Sequence, residues 1–174
     1  MKYYAVLDTN VLVSTMLSKT PDSPVVKLLE AIRFHALIPM YNFDILTEYS
    51  EVLCREKFCF DRRLIEDILS LIKKNGIDCN KVSVSEVFPD PDDVVFYEVA
   101  MSREDSYLVT GNLKHFPKNG RVVSPAEMLQ IIEYGELRND YLSDVEPPLF
   151  SPFSLEEINA EIAAVRAEWH SKES

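Results

Sequence analysis

The sequence predicts a three-layer α/β/α domain built on a central parallel sheet of about four to five strands. Short apolar runs of strand length recur along the chain. Segments with apolar residues at helical spacing separate these runs, and this alternation is typical of a parallel sheet with helices on both faces. Small polar and acidic residues follow several of the runs directly, at the sheet edge where α/β proteins bind ligands.

The predicted strands are short apolar runs that end at polar or turn residues. The first run stops abruptly at Asp8, which is followed by Thr9 and Asn10. A carboxylate beside a core is costly unless it is paired or binds a cation, so Asp8 either caps a structural element or holds a ligand. The predicted strands are residues 3–7, 36–40, 82–84, 106–109 and 121–123.

The predicted helices carry apolar residues three or four positions apart. Asn42 and Asp61 are suitable N-caps for two of them, and Pro125 suits a first helical position. Gly76 lies just past the end of the helix that Asp61 begins. The predicted helical segments are residues 24–34, 43–53, 62–75, 94–101 and 125–132.

The chain divides into a predicted domain over residues 1–134 and a C-terminal segment over residues 135–174. Residues 135–152 are rich in Pro, Asp and Glu, which predicts a linker. Ser154 and Glu157 form a capping box that opens a helix reaching about Trp169. An apolar stripe on that helix packs on its own domain or docks into a partner's groove, and the first is favoured. The stripe is Leu155, Ile158, Ile162, Val165 and Trp169.

Composition points to a soluble cytoplasmic protein with no membrane partner. The chain of 174 residues has three cysteines without a CxxC pair, which is typical of a reducing compartment. No apolar stretch approaches the roughly 20 residues that span a bilayer, and the first apolar run is too short for a signal peptide. The net charge of −11 is unusual for a nucleic-acid-binding protein unless bound divalent metals change the local sign.

Acidic and amide side chains follow the predicted strands at one edge of the sheet. Asp8 follows the first strand, Asp93 begins the helix after the third, and Thr110 and Asn112 follow the fourth. Because the carboxyl ends of parallel strands meet at one edge, we expect these side chains to converge.

Glu48 is a third acid that can reach the same edge. At 100° per residue it borders the apolar face of the helix after Asn42, whereas Glu51 lies nearly opposite and is expected to be solvated. Carboxylates held together need protons or a cation, and oxygen-only ligands suit Mg²⁺ or Mn²⁺. One or two such ions activate water and neutralise a phosphodiester transition state without a nucleophilic Ser, Cys or His.

Four segments in order resemble the PIN domain family, and most narrowly the prokaryotic PIN proteins predicted to be toxins of toxin–antitoxin pairs. The resemblance covers roughly residues 1–132. It implies an endoribonuclease that cleaves RNA with Mg²⁺ or Mn²⁺, and it brings an antitoxin protein and a homodimer into consideration as partners. The four segments are LDTNVLVS, EYSEVL, DPDDVVFYEVA and YLVTGNLKHFP.

The resemblance also implies roles for individual residues. Asn112 falls where many PIN domains have a fourth acid, which leaves open whether one or two metal ions bind. Thr9 and Asn10 match the hydrogen-bonding neighbours of the first acid, and Asp92 is an alternative to Asp93. The implied catalytic residues are Asp8, Glu48, Asp93 and Asn112, of which Asp8, Glu48 and Asp93 are the metal ligands.

Simpler interpretations remain open at this stage. Asp8 and Asp93 also suit helix or strand-end caps, Glu48 suits an ordinary border position, and Asn112 suits a turn. One rival function is a catalytically weakened PIN-like module that binds metal or nucleic acid, or acts as a scaffold. A phospho-acceptor signalling domain is a second rival, disfavoured because Asp8 has no neighbouring acid.

Overall fold

The sheet at the centre of the molecule has five parallel strands in the order β3-β2-β1-β4-β5. The structure is a computed structural model that describes residues 2–136 and 153–172. Helices cover both faces of the sheet, so the predicted α/β/α fold with a C-terminal helix is confirmed. The strands are β1 (Tyr3–Leu7), β2 (Leu37–Tyr41), β3 (Ile77–Asp78), β4 (Ser106–Val109) and β5 (Val122–Val123).

The described residues form seven α-helices that alternate with the strands over most of the chain. Several begin at the predicted caps: the side chain of Asn42 accepts a hydrogen bond from the backbone of Ile45, and that of Asp61 accepts one from Arg63. The helices are α1 (Thr9–Leu17), α2 (Pro24–Arg33), α3 (Phe43–Leu53), α4 (Arg62–Asn75), α5 (Val94–Met101), α6 (Pro125–Glu136) and α7 (Leu155–Lys172).

β1 lies in the middle of the sheet between β2 and β4. Tyr3 is in register with Leu37, and Tyr4 with Ser106. Because β1 is covered on both faces, its second half is uniformly apolar and buried, as expected for a parallel strand. The ladder continues one residue beyond the strand, where the Asp8 N–H donates to the Val109 carbonyl at 2.8 Å. This bond brings the first acid beside the end of β4.

The sequence pattern predicts no helix where α1 lies, directly after Asp8. Most residues of α1 are buried, including both its first residue, Thr9, and its last, Leu17. A helix buried on most sides carries no amphipathic stripe, and therefore the spacing of apolar residues does not reveal it.

The strand predicted over residues 82–84 is wrong. These residues are described and form no strand, and Val82 is partly exposed. The neighbour of β2 is instead β3, where Ile77 is in register with Met40. A strand of two residues is too short to show an alternating pattern, so local sequence could not locate it.

Gly76, between α4 and β3, approaches the backbone of neighbouring elements closely. A Cβ atom there would lie 2.5 Å from the Pro39 carbonyl oxygen and 2.6 Å from that of Ile72. We therefore expect Gly76→Ala to lower the free energy of unfolding by about 2 kcal/mol, because backbone atoms cannot move aside cheaply. Gly120→Ala is the matched control, since a Cβ there meets nothing within 4 Å. Urea denaturation of both variants measures the difference, and equal stabilities would contradict the prediction.

α7 packs against the domain through α1 and α3. Ile158, Ile162 and Val165 of the predicted stripe are buried, while Leu155 and Trp169 are partly buried. This is the favoured alternative, in which the stripe covers its own domain. Of the linker predicted over residues 135–152, residues 137–152 lie outside the part of the chain that the structure describes. The division of the chain at residues 134 and 135 stays a prediction.

Within the described part of the chain, no helix is both long and apolar enough to cross a membrane.

Candidate active site

Asp8 is buried at the end of β1 and is held by hydrogen bonds from two sides. One carboxylate oxygen caps α1 through the Asn10 backbone N–H at 3.4 Å. The other accepts from the Asn10 side-chain amide at 2.8 Å and from the Thr110 hydroxyl at 2.6 Å. The Asn10 amide oxygen in turn accepts from the Gly111 N–H at 3.0 Å. Asp8 is thus a helix cap and also part of a polar network that ties β1 to the loop after β4.

Glu48 is buried on α3, with 2% of the residue exposed. The Thr9 hydroxyl donates to its Oε1. The guanidinium of Arg166 donates from Nε to Oε2 at 2.9 Å and from Nη2 to Oε1 at 3.3 Å. Both carboxylate oxygens of Glu48 are therefore engaged, one of them twice.

The prediction that Glu51 is solvated is wrong. Glu51 is partly buried, and its carboxylate accepts a hydrogen bond from the indole N–H of Trp169. The reason is tertiary, because α7 covers the side of α3 that the helical pattern alone assigns to solvent.

Asp93 lies at the start of α5, at the end of a 3-10 turn that Asp90 caps. The Arg166 Nη1 donates to Asp93 Oδ1 at 2.9 Å and to Asp90 Oδ2 at 2.8 Å. The other oxygen of Asp93 is 3.1 Å from His115 Nδ1. Asp92 has a different environment, with its carboxylate 3.1 Å from His170 Nε2 near the surface. Asp93, and not the alternative Asp92, shares Arg166 with Glu48.

Asn112 lies beside the acids in the loop after β4. Its backbone N–H donates to the Thr110 hydroxyl at 2.9 Å, which links it to the group that holds Asp8. It lines a cavity of about 90 Å³. The other residues that line this cavity include Asp8, Asp90, Asp93, His115 and Arg166.

Arg166 is a residue of the candidate site that sequence reasoning missed. Its side chain is only 4% exposed and lies among the acids, donating to Glu48, Asp90 and Asp93. A signal was present, because Arg166 follows Ile162 by four residues and precedes Trp169 by three, which places it on the apolar face of α7. Asp90, which also accepts a hydrogen bond from Arg166, is a second residue of this cluster that the sequence patterns do not identify.

Burial dominates the electrostatics of this cluster. It raises the pKa of Asp8 to about 7; the Thr110 hydrogen bond opposes this rise, whereas the charges of Asp93 and Glu48 add to it. Burial also raises the pKa values of Glu48 and Asp93, although Arg166 acts in the opposite direction on both. For Arg166, burial alone would lower the pKa, but the carboxylates outweigh it and raise that pKa. The guanidinium is therefore charged among carboxylates that are costly to ionise.

A comparison with known protein families gives a match over more than half of the chain. A family model described as PIN domain matches residues 4–114. The chain belongs to the PIN domain family. PIN domains are generally nucleases that act on RNA or other nucleic acids, and they usually use divalent metals. No curated protein and no solved structure matches the chain.

The matched part of this PIN domain contains the predicted site residues but not Arg166. It spans β1 to the loop after β4 and ends well before α7. The cation among the acids thus comes from a part of the chain that the family model does not include.

The acids of this PIN domain suit a hard cation by chemistry but do not form a metal cluster as they stand. Over residues 2–136 and 153–172, no three or more His, Cys, Asp or Glu side chains are arranged to hold a metal ion. The donors are nevertheless carboxylate oxygens, which Mg²⁺ and Mn²⁺ prefer. One guanidinium also faces more than one carboxylate, which leaves surplus negative charge. The oxygen donors therefore suit a divalent cation, although Arg166 lies between Glu48 and Asp93 in this structure.

We expect Asp8→Asn to change how the stability of this PIN domain depends on pH. The folded pKa of about 7 lies above the ordinary aspartate pKa of 3.8, so the folded state keeps a proton that the unfolded state has released. Because of Asp8, the free energy of unfolding of the wild type then falls by a few kcal/mol as the pH rises from about 4 to about 7. The Asn variant lacks this pH-dependent loss.

Thermal denaturation in EDTA near pH 4.5 and pH 7.5 measures this effect. The melting temperature of Asp8→Asn relative to wild type should be higher at the upper pH than at the lower. Asp22→Asn, which changes an exposed carboxylate, is the control. Equal differences at both pH values would show that the charge of Asp8 does not limit stability.

Proposed function

We propose that this PIN domain is a metal-dependent endoribonuclease that hydrolyses phosphodiester bonds in RNA. The observation that carries the proposal is the burial of Asp8, Glu48 and Asp93, which come from three separate elements, around one cationic group. Burying several carboxylates together is costly, and a fold that relied on them only as caps would not need to bring them together. Membership of a family of nucleases supports the same conclusion.

In this proposal Asp8, Glu48 and Asp93 hold Mg²⁺ or Mn²⁺, and Asn112 contributes an uncharged oxygen at the cavity. When bound, such an ion activates water and neutralises charge on the phosphate. Thr9 donates to Glu48, and its hydroxyl fixes the orientation of that carboxylate.

Asp8 is oriented in the same way by Asn10 and Thr110. Hydrogen-bonding partners of this kind are expected to matter for metal affinity almost as much as the ligands themselves. His115, beside Asp93, holds that carboxylate from the cavity side.

The finer parts of the proposal rest on the family resemblance alone. These are a toxin role, an antitoxin protein as partner and a homodimer, whereas the cytoplasmic location is proposed from composition. One or two metal ions remain alternatives, because Asn112 replaces a charged ligand with a neutral one.

Cleavage of a long single-stranded RNA in saturating Mn²⁺, in Mg²⁺ and in EDTA tests the proposal. We expect internal cuts with either metal and none in EDTA. Binding of Mn²⁺ without any cleavage would instead favour the metal-binding or scaffold module. A folded protein that neither binds Mn²⁺ nor cuts RNA would contradict both, and the acids would then be structural caps.

A further inference from the structure

We propose that α7 is a built-in inhibitor of the nuclease site, in which Arg166 takes the place of the divalent cation. The helix and the metal then exclude each other. This inference rests on the proposed function, since it assumes that the acids hold a metal when the site is active. It goes beyond that function because it assigns a regulatory role to the C-terminal helix.

The hydrogen bonds of Arg166 show that the guanidinium is used as a counter-ion within the protein. Nε and Nη2 donate to the two oxygens of Glu48, and Nη1 donates to Asp90 and Asp93. An arginine has five N–H donors, so four of them are directed at the protein's own carboxylates. With 4% of the side chain exposed, Arg166 is not presented to solvent as a phosphate-binding arginine would be.

Every oxygen of Glu48 and Asp93, the two proposed metal ligands that Arg166 contacts, already accepts a hydrogen bond. Both oxygens of Glu48 accept hydrogen bonds, from Arg166 and from Thr9. Both oxygens of Asp93 are engaged as well, by Arg166 and by His115. A divalent ion between these two acids would meet the guanidinium at close range, where like charges repel strongly. Metal binding therefore requires Arg166 to leave.

The rest of α7 is anchored across the site rather than beside it. On one side, Arg55 of the segment after α3 forms ion pairs with Glu168 at 2.8 Å and with Glu161 at 3.4 Å. On the other side, His170 lies 3.1 Å from Asp92 in the turn that leads to Asp93. Between these contacts α7 lies over the acids, because Ile162, Ala163 and Arg166 line the cavity beside them.

The apolar seam under α7 explains how the helix stays docked without the whole fold depending on it. Ile158, Ile162 and Val165 are buried against the domain, which favours docking by the hydrophobic effect. The sheet, with its own helices, lies within residues 3–136 and is complete without α7. The docked and the undocked helix are thus two states in equilibrium. A metal ion that binds only the undocked state shifts this equilibrium toward it.

The affinity of Mn²⁺ for wild type and for Arg166→Gln tests this inference independently of cleavage. Free Mn²⁺ is measured by electron paramagnetic resonance. If docking withholds the acids, removing the guanidinium should tighten Mn²⁺ binding by about tenfold or more, because the apparent affinity is the intrinsic affinity multiplied by the fraction of undocked protein. Arg33→Gln, which removes an exposed arginine from α2, is the charge-matched control and should leave the affinity unchanged. Unchanged or weaker binding by folded Arg166→Gln would overturn the inference.

Trp169 provides a second readout, since it is the one tryptophan of the sequence and lies on α7. Titrating wild type with Mg²⁺, which does not quench fluorescence paramagnetically, should shift Trp169 emission to the red as the indole leaves Glu51 for water. Saturation with metal and no change in emission would mean that helix and metal coexist, and the inference would fail.

Ile158→Asn keeps the experiment decisive if Arg166→Gln does not fold. This variant disrupts the apolar seam and leaves every acid and Arg166 in place. It should also bind Mn²⁺ more tightly than wild type, and equal affinity would count against the inference. Cleavage is assayed separately: tighter Mn²⁺ binding without any RNA cleavage would uphold the inhibitory helix while refuting the nuclease.

Discussion

Asp93→Asn should reduce metal-dependent RNA cleavage about 100-fold or more, the loss expected when one electrostatic group of a catalytic site is removed. Asp93 is buried at the start of α5 and shares the guanidinium of Arg166 with Glu48. In the proposed active state the Asp93 carboxylate binds the metal instead of Arg166. An amide of the same size keeps one oxygen but removes that charge, so metal affinity and cleavage fall together.

Asp92→Asn is the matched control for this prediction. It changes the adjacent carboxylate in the same way, but Asp92 faces His170 and not the acids. Single-turnover cleavage at saturating Mn²⁺, with circular dichroism as a folding check, measures both variants. Equal loss in the two variants would mean that the turn matters as a structure rather than Asp93 as a ligand, and full activity of Asp93→Asn would remove it from the site.

Arg166→Gln should destabilise the protein in EDTA by about 3 kcal/mol, because removing one member of a buried ion pair leaves the other charge uncompensated. Here the loss leaves Glu48 and Asp93 buried without their counter-ion. Adding Mn²⁺ should restore part of the stability, since a ligand that binds only the folded state stabilises it.

Urea denaturation near pH 7.5 in EDTA and in Mn²⁺ measures both effects. The exposed Arg33→Gln is again the control, and its cost should be small. A loss for Arg166→Gln no larger than that of the control would show that Glu48 and Asp93 do not need a cation in the folded protein.

The fold class was accessible from the sequence because each part of the evidence was local. A parallel strand buried on both faces is an apolar run, and an amphipathic helix carries its stripe at a fixed spacing, as in α2 and α4. These patterns failed where the local signal was weak. α1 is buried on most sides and β3 has two residues, so neither shows a period.

The candidate site was accessible for a similar reason. Asp8 and Asp93 follow or begin elements at the carboxyl edge of the sheet, and Glu48 borders the apolar face of α3. Their convergence follows from the topology of a parallel sheet. Glu51 was misjudged because its environment depends on α7, which local sequence does not relate to α3.

The layered fold, the acids and the sheet edge to which they belong can all be inferred from patterns in the amino-acid sequence. The place of Arg166 among these acids cannot, because it depends on tertiary packing. The physical reason is distance along the chain, because the contact between Arg166 and Glu48 joins residues 118 positions apart. Helical periodicity shows that Arg166 belongs to the apolar face of α7, but the surface that this face meets is set by how the whole chain packs.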